Sequence, residues 1–364
     1  MTANTLAATY LDIQKEVAIH LGWPRDPGDW GSSGSARNVD FELIAKEGYR
    51  QFLYPEALPG ENKSHNWSFL YPLGSLTLNT AYTTGTIEVS AGGSSATTVR
   101  QVEITTGTWP SWVTQGTLEY TATDEIVYHL DVITTDSADS SIIYVEGRGG
   151  IAGDPTTFVL RRKYYDLPDD YGGMVSSGFT YRRDETYRPP IKIVGEGQIR
   201  EDDQESSGGI YPSVASIIPI RPVAGQLEYV YPQGSSPVLP TTESSRWKVR
   251  FHPLAIATHE LEYRYYAIPP ALTSGTNIYH YGGAEHSSTI IAAVLDVAFQ
   301  KIRSSMEKHE AFLTRLRQSV LHDRRNYISD YVGHGVKSVG DGTYADALLD
   351  HRRATPTGNI TTPW

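Results

Sequence analysis

A chain of 364 residues with 39% hydrophobic and 20% charged residues can bury a sizeable core, which excludes a disordered protein. It contains no cysteine, so disulfides, thiolate metal sites and cysteine nucleophiles are excluded together. A net charge of −11 argues against tight wrapping of nucleic acid by the whole molecule, though not against a local basic patch.

The length predicts two or three domains. Met1-Thr2-Ala3-Asn4 lacks the basic start of a signal peptide, and no apolar run approaches the ~18 residues of a membrane-spanning helix. No membrane partner is expected. The abundance of Gly (33), Tyr (24) and Pro (21) predicts a turn-rich β region.

Residues 9–22 read as a helix. Thr9 is the N-cap with Asp12 in capping-box position, Tyr10, Ile13, Val17 and Leu21 form the apolar stripe, and Gly22 and Pro24 stop it. A loop follows over 23–38. Residues 39–53 read as a second helix, capped by Asn38, with Phe41, Ile44, Ala45, Gly48 and Phe52 on one face and Pro55 beyond its end. Gly48 costs a helix interior about 1 kcal/mol and is best tolerated where another backbone packs closely.

From about Trp67 to Pro270 the apolar period becomes two. Thr86 to Val89, Glu125 to Val132 (Ile126, Tyr128, Leu130 and Val132 on one side), Ile142 to Val145, Phe158 to Arg161, Arg246 to Phe251 (Trp247, Val249 and Phe251 inward) and Leu261 to Tyr265 read as strands. Such spacing predicts antiparallel sheets in a sandwich or barrel. Long loops are expected over 147–156 and over 195–212, the latter with the acidic run Glu201-Asp202-Asp203.

Ser287 to Tyr331 carries the strongest helical pattern: Ile291, Leu295, Ala298 and Ile302, then Phe312, Leu313, Leu316, Val320 and Tyr327. Whether Met306 to Glu310 is a turn or a kink stays open. The tail, 333–364, is rich in Gly, Thr and Pro and is expected to be either disordered or laid on a partner. The fold expected is α+β: a four-helix bundle made from both chain ends (1–72 and 286–332), a large inserted antiparallel β domain (73–285), and an extended C-terminal tail (333–364). The predicted bundle core is Ile13, Val17, Ile44, Phe52, Ile291, Leu295, Ile302, Leu316 and Val320.

No catalytic constellation emerges. Asp169-Asp170 and the acidic run sit among turn residues. His309-Glu310 begins like a zinc-protease helix, but position 313 is Leu. No phosphate loop, dinucleotide loop or nucleophile elbow is present. No cofactor, no metal and no enzymatic activity are expected. Trp67, Tyr71, Trp109 and Trp112 suit a sugar platform or, more simply, packing. Seven basic against five acidic residues give 287–331 a charge of +2 and leave −13 elsewhere. An exposed Arg-rich edge there suits an acidic partner subunit, and equally an ordinary solvated face.

Several segments share a layout with known proteins. They are Tyr10-Leu11-Asp12-Ile13 through His20-Leu21-Gly22, Glu47-Gly48-Tyr49-Arg50-Gln51-Phe52-Leu53-Tyr54-Pro55, and His65-Asn66-Trp67-Ser68-Phe69-Leu70-Tyr71-Pro72. Tyr82 to Ile87, Tyr165 to Tyr171, Ala267-Ile268-Pro269-Pro270 and the closing helices with Leu316 to Asp323 extend the match over residues 6–332. Together they resemble the head-to-tail adaptor (neck, connector) proteins of tailed bacteriophages. The resemblance implies a non-enzymatic virion protein, assembled in the host cytoplasm, that forms a homo-oligomeric ring, usually of twelve copies. That ring would join the portal protein to the tail or a second neck protein, with double-stranded DNA passing through the lumen unread. The tail residues Tyr344, Leu348, Leu349, Arg352, Arg353 and Trp364 would then bind the portal. The large β insertion departs from the smallest family members. The alternatives are a carbohydrate-binding or carbohydrate-processing tail fibre or tailspike-type β protein, and another tail completion protein.

Overall fold

The computed structural model describes residues 6–31, 34–58, 64–90, 99–121, 125–146, 157–182, 188–205, 211–219, 247–273 and 279–334. It resolves into two units, Met1–Leu70 with Pro269–Trp364, and Tyr71–Ile268.

The chain opens with α1 (Tyr10–Leu21). The Asp12 amide donates to Thr9 Oγ1 at 3.1 Å and the Thr9 amide to Asp12 Oδ2 at 2.9 Å, a complete capping box. Those hydrogen bonds hold the Asp12 carboxyl below its usual range. Gly22 stops the helix in the left-handed region, φ 73°. α2 (Ala36–Leu53) starts earlier than the sequence pattern suggests. Ser35 takes the cap position, and Asn38 lies inside the first turn, where its Nδ2 donates to Ser35 Oγ at 3.1 Å.

The second unit holds β1 (Leu73–Leu78), β2 (Thr86–Val89), β3 (Val99–Thr106), β4 (Gly116–Thr121), β5 (Val127–Thr135), β6 (Ile142–Glu146) and β7 (Phe158–Arg162). It continues with β8 (Tyr164–Asp166), β9 (Tyr171–Met174), β10 (Gly178–Tyr181), β11 (Ile191–Ile193), α3 (Glu196–Glu205), β12 (Val214–Pro219), β13 (Trp247–His252) and β14 (His259–Ala267). These strands form two sheets. The eight-stranded sheet runs β1-β14-β10-β11-β12-β13-β8, with β9 also on β14; among the described residues only β11–β12 is parallel. The six-stranded sheet runs β2-β3-β6-β5-β4-β7.

Both sheets curl until their margins approach. In the larger, the Asn79 amide just past β1 donates to Tyr165 Oη of β8 at 3.2 Å. In the smaller, Tyr82, ahead of β2, exchanges two 2.9 Å backbone hydrogen bonds with Leu160 of β7. Each sheet wraps its own core. One is aromatic, with Phe179 5.2 Å from Phe251 and 5.0 Å from Tyr263. The other is aliphatic, built on Val102, Ile104, Leu118, Ile143 and Leu160. Arg162 ties the two sheets together: Nη1 donates to Asn79 Oδ1 at 2.7 Å, Nη2 to Gln115 Oε1 at 2.6 Å, and the guanidinium lies over the Tyr165 ring.

Three local expectations change here. The acidic stretch expected as a loop is α3, held by fully buried Ile199 and an Arg200–Glu196 pair at 2.6 Å one turn apart. Ile126 precedes β5 and is exposed, so the inward row begins at half-buried Tyr128. Trp247 is half-buried, while Arg250 is buried on the same strand. The loop expected over 147–156 lies outside the described residues.

The chain closes with α4 (Ser287–Arg303) and α5 (His309–His334). Ser304 turns left-handed at φ 50°, so the segment around Met306 is a turn between two helices.

The expected architecture, a four-helix bundle carrying one inserted sandwich or barrel, is corrected. Two curled sheets of eight and six strands dominate the fold, and five helices accompany them among the described residues. Nor do the helices share one core seam as bundle helices do. α4 is central, and α1, α2 and α5 each pack on it. The cause is its sequence: Ile290, Ala292, Ala293, Val294, Val297, Ala298 and Phe299 are buried, covering nearly its whole circumference. A helix apolar all round is placed inside others rather than beside them. The boundary moves too. Residues placed in the β domain up to 285 include His280 to Glu285, which belong with the helices: the Tyr281 amide donates to Tyr49 Oη at 2.9 Å.

Candidate functional site

The helical unit is pinned by buried polar groups that tie distant segments to α4 and α5. Asp323 of α5 accepts from His65 Nε2 at 2.8 Å, from the Ser68 amide at 3.0 Å and from the Ser68 hydroxyl. Burial alone would raise the Asp323 pKa, but these hydrogen bonds outweigh it and hold the carboxyl below its usual range. Ser, His and Asp thus meet, but the serine donates to the carboxylate and not to the imidazole. The hydroxyl is committed to the carboxylate and no imidazole accepts from it, so the serine–histidine contact of an activated serine nucleophile is not made here.

A second pair comes closer. His280 Nε2 lies 2.8 Å from Ser287 Oγ, and His280 Nδ1 lies 2.9 Å from the Tyr281 carbonyl. Because a carbonyl only accepts, Nδ1 carries the proton and Nε2 accepts from the hydroxyl. Ser287 Oγ also receives the Ala8 amide at 3.0 Å, and both side chains are buried. The serine is used up in fastening the first segment to the start of α4. Burial pushes the His280 pKa down, with partial relief from the Tyr281 carbonyl.

His286 lies between them in an aromatic box, 5.7 Å from Phe52, 5.0 Å from Trp67 and 5.4 Å from Phe69. Burial lowers its pKa against the pull of Asp323 and Glu285. Further along, fully buried Asp296 meets His309 Nδ1 at 2.9 Å, and Thr289 meets Ser319 at 2.6 Å.

Of the core residues expected from the sequence, Ile13, Val17, Ile44, Phe52, Leu295, Leu316 and Val320 are buried together in this unit. Ile291 is only half-buried. Ile302 is a correction: it is 41% exposed, because α4 runs out there beyond the cover of its neighbours and Arg303 turns to the His20 carbonyl at 2.9 Å. The portal-binding candidates Tyr344, Leu348, Leu349, Arg352, Arg353 and Trp364 lie outside the described residues.

The other chemical candidates are dispersed. Trp67 is buried against Phe52, whose carbonyl accepts its indole N–H at 2.9 Å. Trp109 and Trp112 pack on the core of the smaller sheet, and Trp109 Nε1 donates to the Ser141 carbonyl at 2.7 Å. Asp170 fastens a turn by accepting from Tyr265 Oη at 3.0 Å. Among the described residues no three His, Asp or Glu side chains gather as metal ligands would.

What the helical unit presents outward is different in kind. α1 exposes Leu11 and Ile19, α2 exposes Val39 and Leu43, α5 exposes Leu321, and Ile302 and Met306 lie open at the α4–α5 turn. On α2 the apolar pair is flanked by exposed Asp40, Glu42 and Glu47; on α5 the leucine is flanked by exposed Arg317, Arg324 and Arg325. Sequence periodicity finds the inward stripes but misses these outward residues, because each is a single apolar side chain in a polar face. On α2 and on α5 an exposed apolar centre carries a charged rim, the composition that protein–protein contacts use. Among the described residues no helix is long and apolar enough to cross a membrane. No protein-family model matches this chain, and no curated protein matches it in sequence.

Proposed function

We propose that this chain is a structural assembly protein, a head-to-tail adaptor of a tailed bacteriophage. It forms a homo-oligomeric ring in the virion neck, between the portal and the tail or a second neck protein, around the channel through which double-stranded DNA passes. The observation that carries the reading is the outward surface of the helical unit, where apolar side chains on α1, α2 and α5 stand among charges of opposite sign on different helices. A closed ring needs such unlike faces on each subunit. The buried polar groups support it from the other side, since they are committed to joining segments of the chain.

The test is mass measurement with negative-stain imaging of the purified protein, alone and mixed with a portal ring. Closed rings of about a dozen copies are expected, seated on the portal. A stable trimer, or release of sugars from a glycan substrate, overturns the reading. Removal of residues 337–364 should leave the helical melting transition in place and weaken attachment to the portal.

A further inference from the structure

Two outward helix faces in the same unit complement each other. On α2, Val39 and Leu43 are one turn apart and 44% and 56% exposed. Within a turn of Leu43 stand Asp40, Glu42 and Glu47 against the single Lys46, all exposed. On α5, Leu321 is 56% exposed, and within a turn of it stand exposed Arg317, Arg324 and Arg325. Asp323, the acid of that turn, is buried on the opposite side against His65.

These faces do not meet within one chain. Gly48 of α2 abuts Val294 of α4, whereas Ser319 and His309 of α5 bond Thr289 and Asp296. At 3.6 residues per turn, Val294 stands about 140° round α4 from Thr289. α2 and α5 therefore cover different sides of the central helix, and their outward faces point apart.

We propose that the acidic α2 face centred on Leu43 docks on the basic α5 face centred on Leu321 of a second copy of this chain. This rests on the ring reading and specifies its subunit contact. The occupant follows from charge: a face with two excess acids calls for a basic, apolar-centred partner, and the chain itself carries one. The contact is heterologous, since the two faces point apart round α4 and cannot both meet one partner, and so it propagates round a ring instead of ending at a dimer. The apolar pair supplies the dry centre and the charged rims set register and speed encounter. α1 is the weaker choice, because its exposed Leu11 and Ile19 are two turns apart and its end is occupied by Arg303 of the same chain.

The absence of cysteine makes the test clean. Leu43→Cys, Leu321→Cys and the double variant are treated with a short bis-maleimide and run on denaturing gels. The double variant should give a ladder of crosslinked multimers, and each single variant monomer alone. Arg317→Glu with Arg325→Glu should reduce the ladder about tenfold, and mixing with an Asp40→Arg, Glu42→Arg variant should restore it. Dimers from a single-cysteine variant, or monomer from the double variant in a preparation whose wild type forms rings, overturn this contact and leave the ring standing. A wild-type chain that stays monomeric at high concentration, with and without a portal ring, overturns the ring reading and the contact together.

Discussion

A Cβ placed on Gly48 would stand 2.5 Å from the Cα and 2.8 Å from the amide nitrogen of Val294, so α2 and α4 touch backbone to backbone there. Neither neighbouring atom belongs to a side chain that can swing aside. Gly48→Ala therefore forces the helices apart, and this cost, typically about 1–3 kcal/mol, opposes a helix-propensity gain of about 1 kcal/mol. The expected result is net destabilisation in urea unfolding. Gly197→Ala is the control: an exposed position in the first turn of α3 with open space around it, where the same change should stabilise by up to about 1 kcal/mol.

The Asp323 cluster sets an acid limit on the helical unit. Its carboxyl titrates below the ordinary value of 3.8, so the unfolded chain takes up the proton first as pH falls. The stabilisation is complete above about pH 4 and is lost as pH drops through the folded pKa. Asp323→Asn should destabilise the helical unit at pH 7 by on the order of 1–3 kcal/mol and lower its thermal midpoint, since the neutral amide loses the charge-assisted bonds from His65 and Ser68 and puts an NH2 donor where the Ser68 hydroxyl donates. The gap between variant and wild type should begin to narrow as pH falls below about 4. A gap constant from pH 7 to 3 would show that the carboxylate charge plays no part.

His286 pulls in the opposite chemical sense. Its pKa, like that of His280, lies below 6.5, so the unfolded chain gains protons near pH 6.5 that the folded chain refuses. Stability is full above that value and falls as pH drops from 7 towards 5. His286 Nδ1 is also buried without a hydrogen-bond partner. His286→Phe removes the polar atom from a box already lined by Phe52, Trp67 and Phe69. The variant should be at least as stable as wild type at pH 7 and should melt with a flatter dependence between pH 7 and 5. A steeper dependence would refute the assignment.

Local signals in the sequence were readable where one residue type solves a local problem. Thr9 with Asp12, Gly22 and Gly48 each fill the role that backbone chemistry demands, and the structure has them there. Period-two runs located the strands for the same reason. Pairing was not readable, because alternation records which face is buried and not which strand lies alongside: β1 pairs with β14 almost the whole unit away. One sandwich or barrel was expected where two separately curled sheets exist. α3 was missed because its acidic face hides a helix anchored by one side chain, Ile199. The central place of α4 was written in its residues, since Ala292, Ala293 and Val297 lie off the stripe through Leu295. Reading only that stripe made it one helix of four. The outward Leu43 and Leu321 left no periodic signal at all.

Two residues of the predicted apolar pattern make the sharpest contrast. Leu316 is buried on α5 facing α4, while Ile302 is the last apolar residue of α4 and stands open. The stripe continues to Ile302 in sequence, but packing stops at Phe299, over which Arg303 and Lys308 lay their charged ends. Leu316→Ala empties a filled site and should cost about 2–5 kcal/mol in urea unfolding. Ile302→Ala should change stability by less than about 0.5 kcal/mol, as at other surface positions. Because Ile302 and Met306 are both exposed at this turn, the same pair of variants also reports on assembly. A loss for Ile302→Ala that grows with protein concentration would place this turn inside the subunit contact. A loss independent of concentration would mean that the end of α4 is covered within the chain, contrary to the structure.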